Sequence, residues 1–131
     1  MIYLDTSAMV KLVVAEPESE DLIEWLGGHP EESLASSRIG HLELTRVARR
    51  VGGLVESAAQ RLISMIDSLV LTESIAAAAG TTSPPELRTL DAIHLATALM
   101  HHDRLVAFCA YDQRLLGAAR AHQLAVVAPG T

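Results

Sequence analysis

An α/β fold is what this sequence predicts, with a central, mainly parallel sheet of four or five strands covered by helices on both faces, a three-layer α/β/α arrangement. Two observations lead there. Short apolar runs that read as strands alternate with stretches of helical period along the chain. Two acids, Asp5 and Asp112, fall at or just past the carboxyl ends of such runs, where open parallel sheets place their sites. With 131 residues the chain fits one domain, 1–131, and can bury a sizeable core. Half its residues are apolar but only 3% are aromatic, so Leu, Val, Ile and Ala must build that core.

Taken in order, residues 1–5 (MIYLD) read as a buried strand ending on Asp5, with Thr6 and Ser7 as helix caps and a helix over Ala8–Ala15. Pro17 suits the first turn of a second helix that runs to about Leu26 and stops at Gly27-Gly28. Its Glu16, Glu18, Glu20 and Asp21 read as a solvated acidic first turn without catalytic duty. Ser33–Ser37 is a short strand. Arg38–Val51 is a helix stopped by Gly52-Gly53, and Leu54–Ile66 returns antiparallel to it. Leu69–Thr72 reads as a strand, Ile75–Ala79 as a short helix, and Thr81–Pro85 as a loop that its Pro-Pro pair keeps out of any helix. A helix over Leu90–His102, a strand over Leu105–Cys109, a helix over Asp112–His122 and a strand over Ala125–Val127 complete the chain.

The chain carries 16 acids against 10 bases, a net charge of −6, which argues against a protein coated in basic surface. A lone Cys109 excludes an internal disulfide and a cysteine zinc cage, and reads as a buried strand residue suited to a reducing cytoplasm. No signal-type segment opens the sequence, and no apolar run reaches the ~20 residues of a membrane span. The expectation is a cytoplasmic protein with no membrane attachment.

Four acids sit awkwardly for surface residues. Asp91 shares a helical stripe with Leu95 and Ala98, four and seven positions on. Glu43 interrupts the stripe of Ile39, Val47 and Val51. Each acid alone has a plain structural reading: a turn for Asp5, a helix cap for Asp112, a dipole contact with Thr89 as cap for Asp91, an ion pair with Arg46 for Glu43. Gathered at one sheet edge, however, they would repel one another and raise their own pKa values unless a cation intervened. Oxygen-only donors suit Mg²⁺, or Mn²⁺ in its place, and such a site can turn water into a nucleophile toward a phosphodiester.

MIYLDTSAMVKL, the helix with Glu43, LDAIHLATAL and AYDQRL together resemble the PIN-domain family, and the size and order of acids resemble VapC-type toxins of bacterial toxin–antitoxin pairs. The resemblance covers nearly the whole chain. It implies a metal-dependent endoribonuclease with Asp5, Glu43, Asp91 and Asp112 as catalytic and metal-binding acids. Ser7, and secondarily Thr6, would order the site by hydrogen bonding to the acids or to metal-bound water. It further implies hydrolysis of RNA to a 5′-phosphate and a 3′-hydroxyl, a cognate antitoxin covering the groove, and a homodimer. The family often carries Thr or Ser two residues before the last acid; this chain has Ala110, which puts that contact and the contribution of Asp112 in question.

Arg46 and Arg49 are candidates for RNA phosphate contacts, while Arg50 reads as a solvated helix end. Lys11 and Arg88 are further candidates at the groove border. His94, three residues past Asp91, reads as a packing histidine, and His101-His102 as a dipole-favoured helix end. Val10, Leu12, Val13, Val14 and Ile23 could serve an interface or the core, the core being the default. Two other readings stand beside the nuclease: a non-catalytic PIN-like module binding RNA or protein, and an aspartyl-phosphate hydrolase using Asp5. Ser7 stands where the second reading would want another Asp.

Overall fold

Five parallel strands pair in the order β3-β2-β1-β4-β5 in the computed structural model, which describes all 131 residues. The elements are β1 (Ile2–Leu4), α1 (Thr6–Lys11), α2 (Ser19–Gly27), β2 (Leu34–Ser37), α3 (Arg38–Val51), α4 (Leu54–Met65), β3 (Asp67–Leu69), α5 (Glu73–Gly80), α6 (Thr89–Met100), β4 (Ala107–Cys109), α7 (Gln113–Ala121) and β5 (Val126–Val127). A short 3₁₀ turn over His102–Arg104 precedes β4. No helix is long and apolar enough to cross a membrane.

The strand period of two divides the core between the faces of the sheet. Tyr3 and Phe108 point to one face, where Leu95 and Ala98 of α6 and Leu115, Leu116 and Ala119 of α7 cover them. Ile2, Leu4 and Cys109 point to the other, beneath Met9 of α1, Leu22 of α2, Leu44 and Ala48 of α3, and Leu62 of α4. This is the expected three-layer arrangement. The Tyr3 and Phe108 rings stack with centroids 5.3 Å apart, so two of the few aromatics sit at the centre of one layer. Cys109 is buried as expected, and burial pushes its thiol up to about 12.

Several boundaries differ from the sequence reading. The first helix begins at Thr6 rather than Ala8, because the Asp5 carboxylate, and not Thr6 or Ser7, accepts the cap hydrogen bond, from Ala8 N–H. It ends at Lys11, with Leu12–Val14 in a turn. Pro17 precedes the second helix, which starts at Ser19. The third strand is Asp67–Leu69, displaced from the expected 69–72: Ile66 leaves α4 extended and the chain pairs with β2 at once, Ala35 opposite Asp67. An edge strand tolerates the polar Asp67 and Ser68, and Val70 is left exposed. Arg88, whose side chain makes no capping hydrogen bond, occupies the cap position expected of Thr89.

Candidate functional site

The carboxyl ends of β1 and β4 lie side by side in the middle of the sheet, and the four acids are brought to that edge by four helices. Asp5 leaves β1 with its own N–H donating to the Cys109 carbonyl at 3.0 Å, which ties it to β4. Its Oδ1 accepts from the Ser7 hydroxyl at 2.6 Å and from Ala8 N–H at 2.9 Å. Ser7 Oγ in turn accepts from Tyr111 N–H at 3.0 Å. One serine therefore joins the ends of both strands, next to the position where Ala110 offers no hydroxyl.

Glu43, midway along α3, accepts with Oε1 from Thr6 Oγ1 at 2.7 Å and lies 2.9 Å from His94 Nε2. Asp112 caps α7, its Oδ1 accepting from Leu115 N–H at 2.9 Å. Asp91 sits in the first turn of α6, where a helix N-terminus favours a carboxylate. The Arg88 guanidinium spans two acids, 3.4 Å from Asp91 Oδ2 and 3.5 Å from Asp112 Oδ2, while its side chain stays 73% exposed.

One pattern recurs. Asp5 and Glu43 each commit one oxygen to donors of the chain and leave Oδ2 and Oε2 without one, whereas Asp112 gives Oδ1 to its helix and shares Oδ2 with Arg88. The charges also act on one another. Burial raises the Asp5 carboxyl above the usual carboxylate range, His94, Ser7 and Ala8 oppose that, and Asp91 adds to it. Burial likewise raises Asp91, with Arg88 opposing and Asp112 and Glu43 adding. Burial pushes Glu43 up as well, but hydrogen bonds from His94 and Thr6 outweigh it and hold this carboxyl below its ordinary value. Asp91 thus lies within the field of all three other acids. The donors are oxygens, anionic and individually tethered, which fits a hard divalent cation. As placed, no three of the side chains stand close enough together to hold one ion.

The candidate bases divide by helix geometry. Arg46 and Arg50 line a concavity of about 340 Å³ with Thr6, Glu43 and Leu90. Arg49 instead faces the α3–α4 groove among Thr45, Glu56 and Gln60, so it is not a neighbour of the acids. At 3.6 residues per turn Arg50 lies about 20° from Glu43 around the helix, Arg46 about 60° and Arg49 about 120°. That arithmetic is available in the sequence and puts Arg50, rather than Arg49, on the Glu43 side of the helix.

Lys11 is also redirected. Its ammonium bonds Glu18 at 2.7 Å and Glu16 at 3.3 Å, and lies 4.6 Å from the centre of the Tyr111 ring. It is therefore a buried structural cation, and Glu16 and Glu18 are its partners rather than merely solvated acids. Arg88 does border the acids. Val10, Leu12 and Val13 pack against the second core cluster, whereas Ile23 is exposed. His94 packs as expected, only 2% exposed, but it also reaches Glu43, Thr6 and Tyr3. Its place three residues after Asp91 was the available signal.

A parallel three-layer sheet with clustered, oxygen-only acids at its carboxyl edge defines an α/β protein with a candidate divalent-metal site. Residues 2–121 match the PIN domain family model, and the chain belongs to the PIN-domain family. It is 44% identical over 135 residues to Ribonuclease VapC47 of Mycobacterium tuberculosis, covering 99% of this chain and 98% of that protein. Among solved structures it is similar to VapBC2 from Rickettsia felis bound to a promoter DNA fragment, with a TM-score of 0.77 at 14% identity, covering 98% of this chain and 99% of that one. It is also similar to Mycobacterium tuberculosis VapC20, described as a sarcin–ricin loop cleaving toxin, with a TM-score of 0.73 at 20% identity, covering 98% of this chain and 100% of that one.

Proposed function

We propose that this chain is the endoribonuclease toxin of a toxin–antitoxin pair, acting in the cytoplasm with Mg²⁺, or Mn²⁺ in its place. The observation that carries the reading is the tethering of Asp5 and Glu43 by one oxygen each at the sheet edge where Arg88 bridges Asp91 and Asp112. Near-full-length similarity to a protein named a ribonuclease supports the choice of substrate class.

The divalent ion, when bound, supplies positive charge for the scissile phosphate and lowers the pKa of an attacking water. Asp5, Asp91, Glu43 and Asp112 would hold it. Ser7 and Ala8 orient Asp5, Thr6 orients Glu43, and the α7 N-terminus orients Asp112. Hydrolysis adds the water oxygen to phosphorus and breaks the P–O3′ bond, leaving a 5′-phosphate and a 3′-hydroxyl. Arg46 and Arg50 are placed to contact flanking phosphates. Arg88 would give up Asp91 Oδ2 and Asp112 Oδ2 wherever those oxygens turn to the ion. Single-stranded loops of structured RNA are the accessible targets.

The partners in this reading are RNA, a cognate antitoxin that covers the acids with a basic side chain, and a second copy of the chain. Light scattering on purified protein should return a dimer; a monomer at micromolar concentration would count against that element alone.

The central test is cleavage of total bacterial RNA with Mg²⁺ or Mn²⁺, with EDTA, and by Asp5→Asn. Discrete fragments that depend on metal and vanish in the variant are expected. No cleavage by antitoxin-free, folded protein that binds Mn²⁺ would favour the binding-module reading.

A further inference from the structure

Beneath Glu43 lies a buried polar chain that the acids do not require for ligation. The Tyr3 hydroxyl, at the centre of the sheet, accepts from Ser37 N–H at 3.1 Å and lies 2.7 Å from His94 Nδ1. Having accepted one proton from the backbone, the hydroxyl has its own proton to give, and of its two side-chain neighbours, the Ser36 hydroxyl and His94 Nδ1, we take the imidazole nitrogen at 2.7 Å as the acceptor. The imidazole then carries its N–H at Nε2, 2.9 Å from Glu43 Oε1 and 3.1 Å from Thr6 Oγ1. Tyr3 is wholly buried and His94 nearly so. No water competes for either ring, and the direction of the chain is set by β2 backbone through Tyr3.

The close approach of α3 to this chain is built into the sequence. A Cβ at Gly40 would meet His94 Cε1 at 3.0 Å and Met9 Cε at 2.9 Å, and would collide with the Ser36 hydroxyl. Glycine at this position lets α3 lie against the imidazole, one turn before Glu43. Without the imidazole, Thr6 would be the remaining donor to Glu43 Oε1, and the carboxylate could turn about it.

We propose that His94 is a positioning residue: Tyr3 fixes its Nε2–H tautomer, and that N–H holds the Glu43 carboxylate by Oε1 and leaves Oε2 free for a metal ion. His94 touches neither substrate nor phosphate in this role. The inference rests on the nuclease reading only where cleavage is the readout; the His94–Glu43 coupling itself is measurable without RNA.

The test uses the full chain and three measurements. Long-range ¹H–¹⁵N spectra should show His94 as the Nε2–H tautomer in the wild type and a loss of that preference in Tyr3→Phe. Titration with Mn²⁺ alone should show affinity lowered about tenfold in His94→Phe, within the roughly 10–100-fold range for groups that orient metal ligands. His94→Gln keeps an N–H donor near the Nε2 position and should recover most of the loss. On RNA, kcat should fall by a similar factor with KM nearly unchanged. In a Glu43→Gln background, His94→Phe should add little further loss.

An Nδ1–H tautomer in the wild type would overturn the proposal. So would unchanged Mn²⁺ affinity in folded His94→Phe, or losses that multiply fully with Glu43→Gln. Should His94→Phe fail to fold, Tyr3→Phe carries the affinity measurement, with the same loss expected and the same result overturning it. A wild type that binds Mn²⁺ and shows the tautomer, but cuts no RNA, would defeat the nuclease reading and leave the positioning role standing.

Discussion

Glu16 and Glu18 hold the Lys11 ammonium between them, whereas Asp5, Glu43, Asp91 and Asp112 share only the long, exposed Arg88 and a histidine. The first group is electrostatically closed. Hydrogen bonding to Lys11 holds Glu18 below its usual range, and the same acids raise the lysine against the effect of burial. The second group is open: burial and neighbouring acids hold Asp5 and Asp91 above the usual range. An acidic cluster with its cation built in is part of the scaffold. One whose carboxyls remain partly uncompensated is where the proposed cation would be held.

The largest expected difference between the two is catalytic. Asp5→Asn or Asp91→Asn should lower RNA cleavage by at least about 10²–10³-fold, the scale of losing a principal electrostatic stabiliser. Asp5→Asn should melt no lower than the wild type, because an amide keeps the cap and removes a buried charge. Substantial activity in either variant would erase the contrast on which the reading rests.

Metal comes next. At a Mn²⁺ concentration 100 times its Kd, the wild type should gain about 2.7 kcal/mol, measured as a raised Tm, and Asp91→Asn should gain much less. Lys11→Met should show the reverse profile. It leaves two acids facing each other without their cation and should cost about 2 kcal/mol, seen in urea unfolding, with cleavage unchanged below the transition. A loss of cleavage in folded Lys11→Met would join the two clusters and break the comparison.

Smaller effects sharpen it. In the folded, metal-free chain the raised Asp5 and Asp91 carboxyls keep protons that the unfolded chain releases. Their contribution to stability therefore falls as pH rises from about 4 toward neutrality. Glu43, held low, acts in the opposite sense, and its contribution is lost as pH falls below about 4. Denaturation across this range should show a shallower decline in Asp5→Asn and, with saturating Mn²⁺, little decline at all. Asp112→Asn keeps the α7 cap through its amide oxygen and should reduce cleavage by about tenfold, less than the central acids.

Much of this is legible in the amino-acid sequence itself. Alternation of strand and helix gave the parallel sheet, and acids breaking apolar stripes marked Glu43 and Asp91. Arg50 was legible too, since its angle to Glu43 follows from helix geometry alone. Chain order and local period determine which residue types can share a helix face or end a strand, because those are properties of a few neighbouring residues.

Tertiary structure decided the rest. The third strand starts at Asp67 because pairing with β2, and not its own apolarity, sets its register. Lys11 finds Glu16, Glu18 and Tyr111 because the turn after α1 and the end of β4 bring them together. His94 stops being only a core histidine because Tyr3 and Glu43, 91 and 51 residues away in sequence, meet its two nitrogens. Hydrogen bonds reach about 3 Å while these partners are far apart along the chain, so only the packed sheet and helices could assign them.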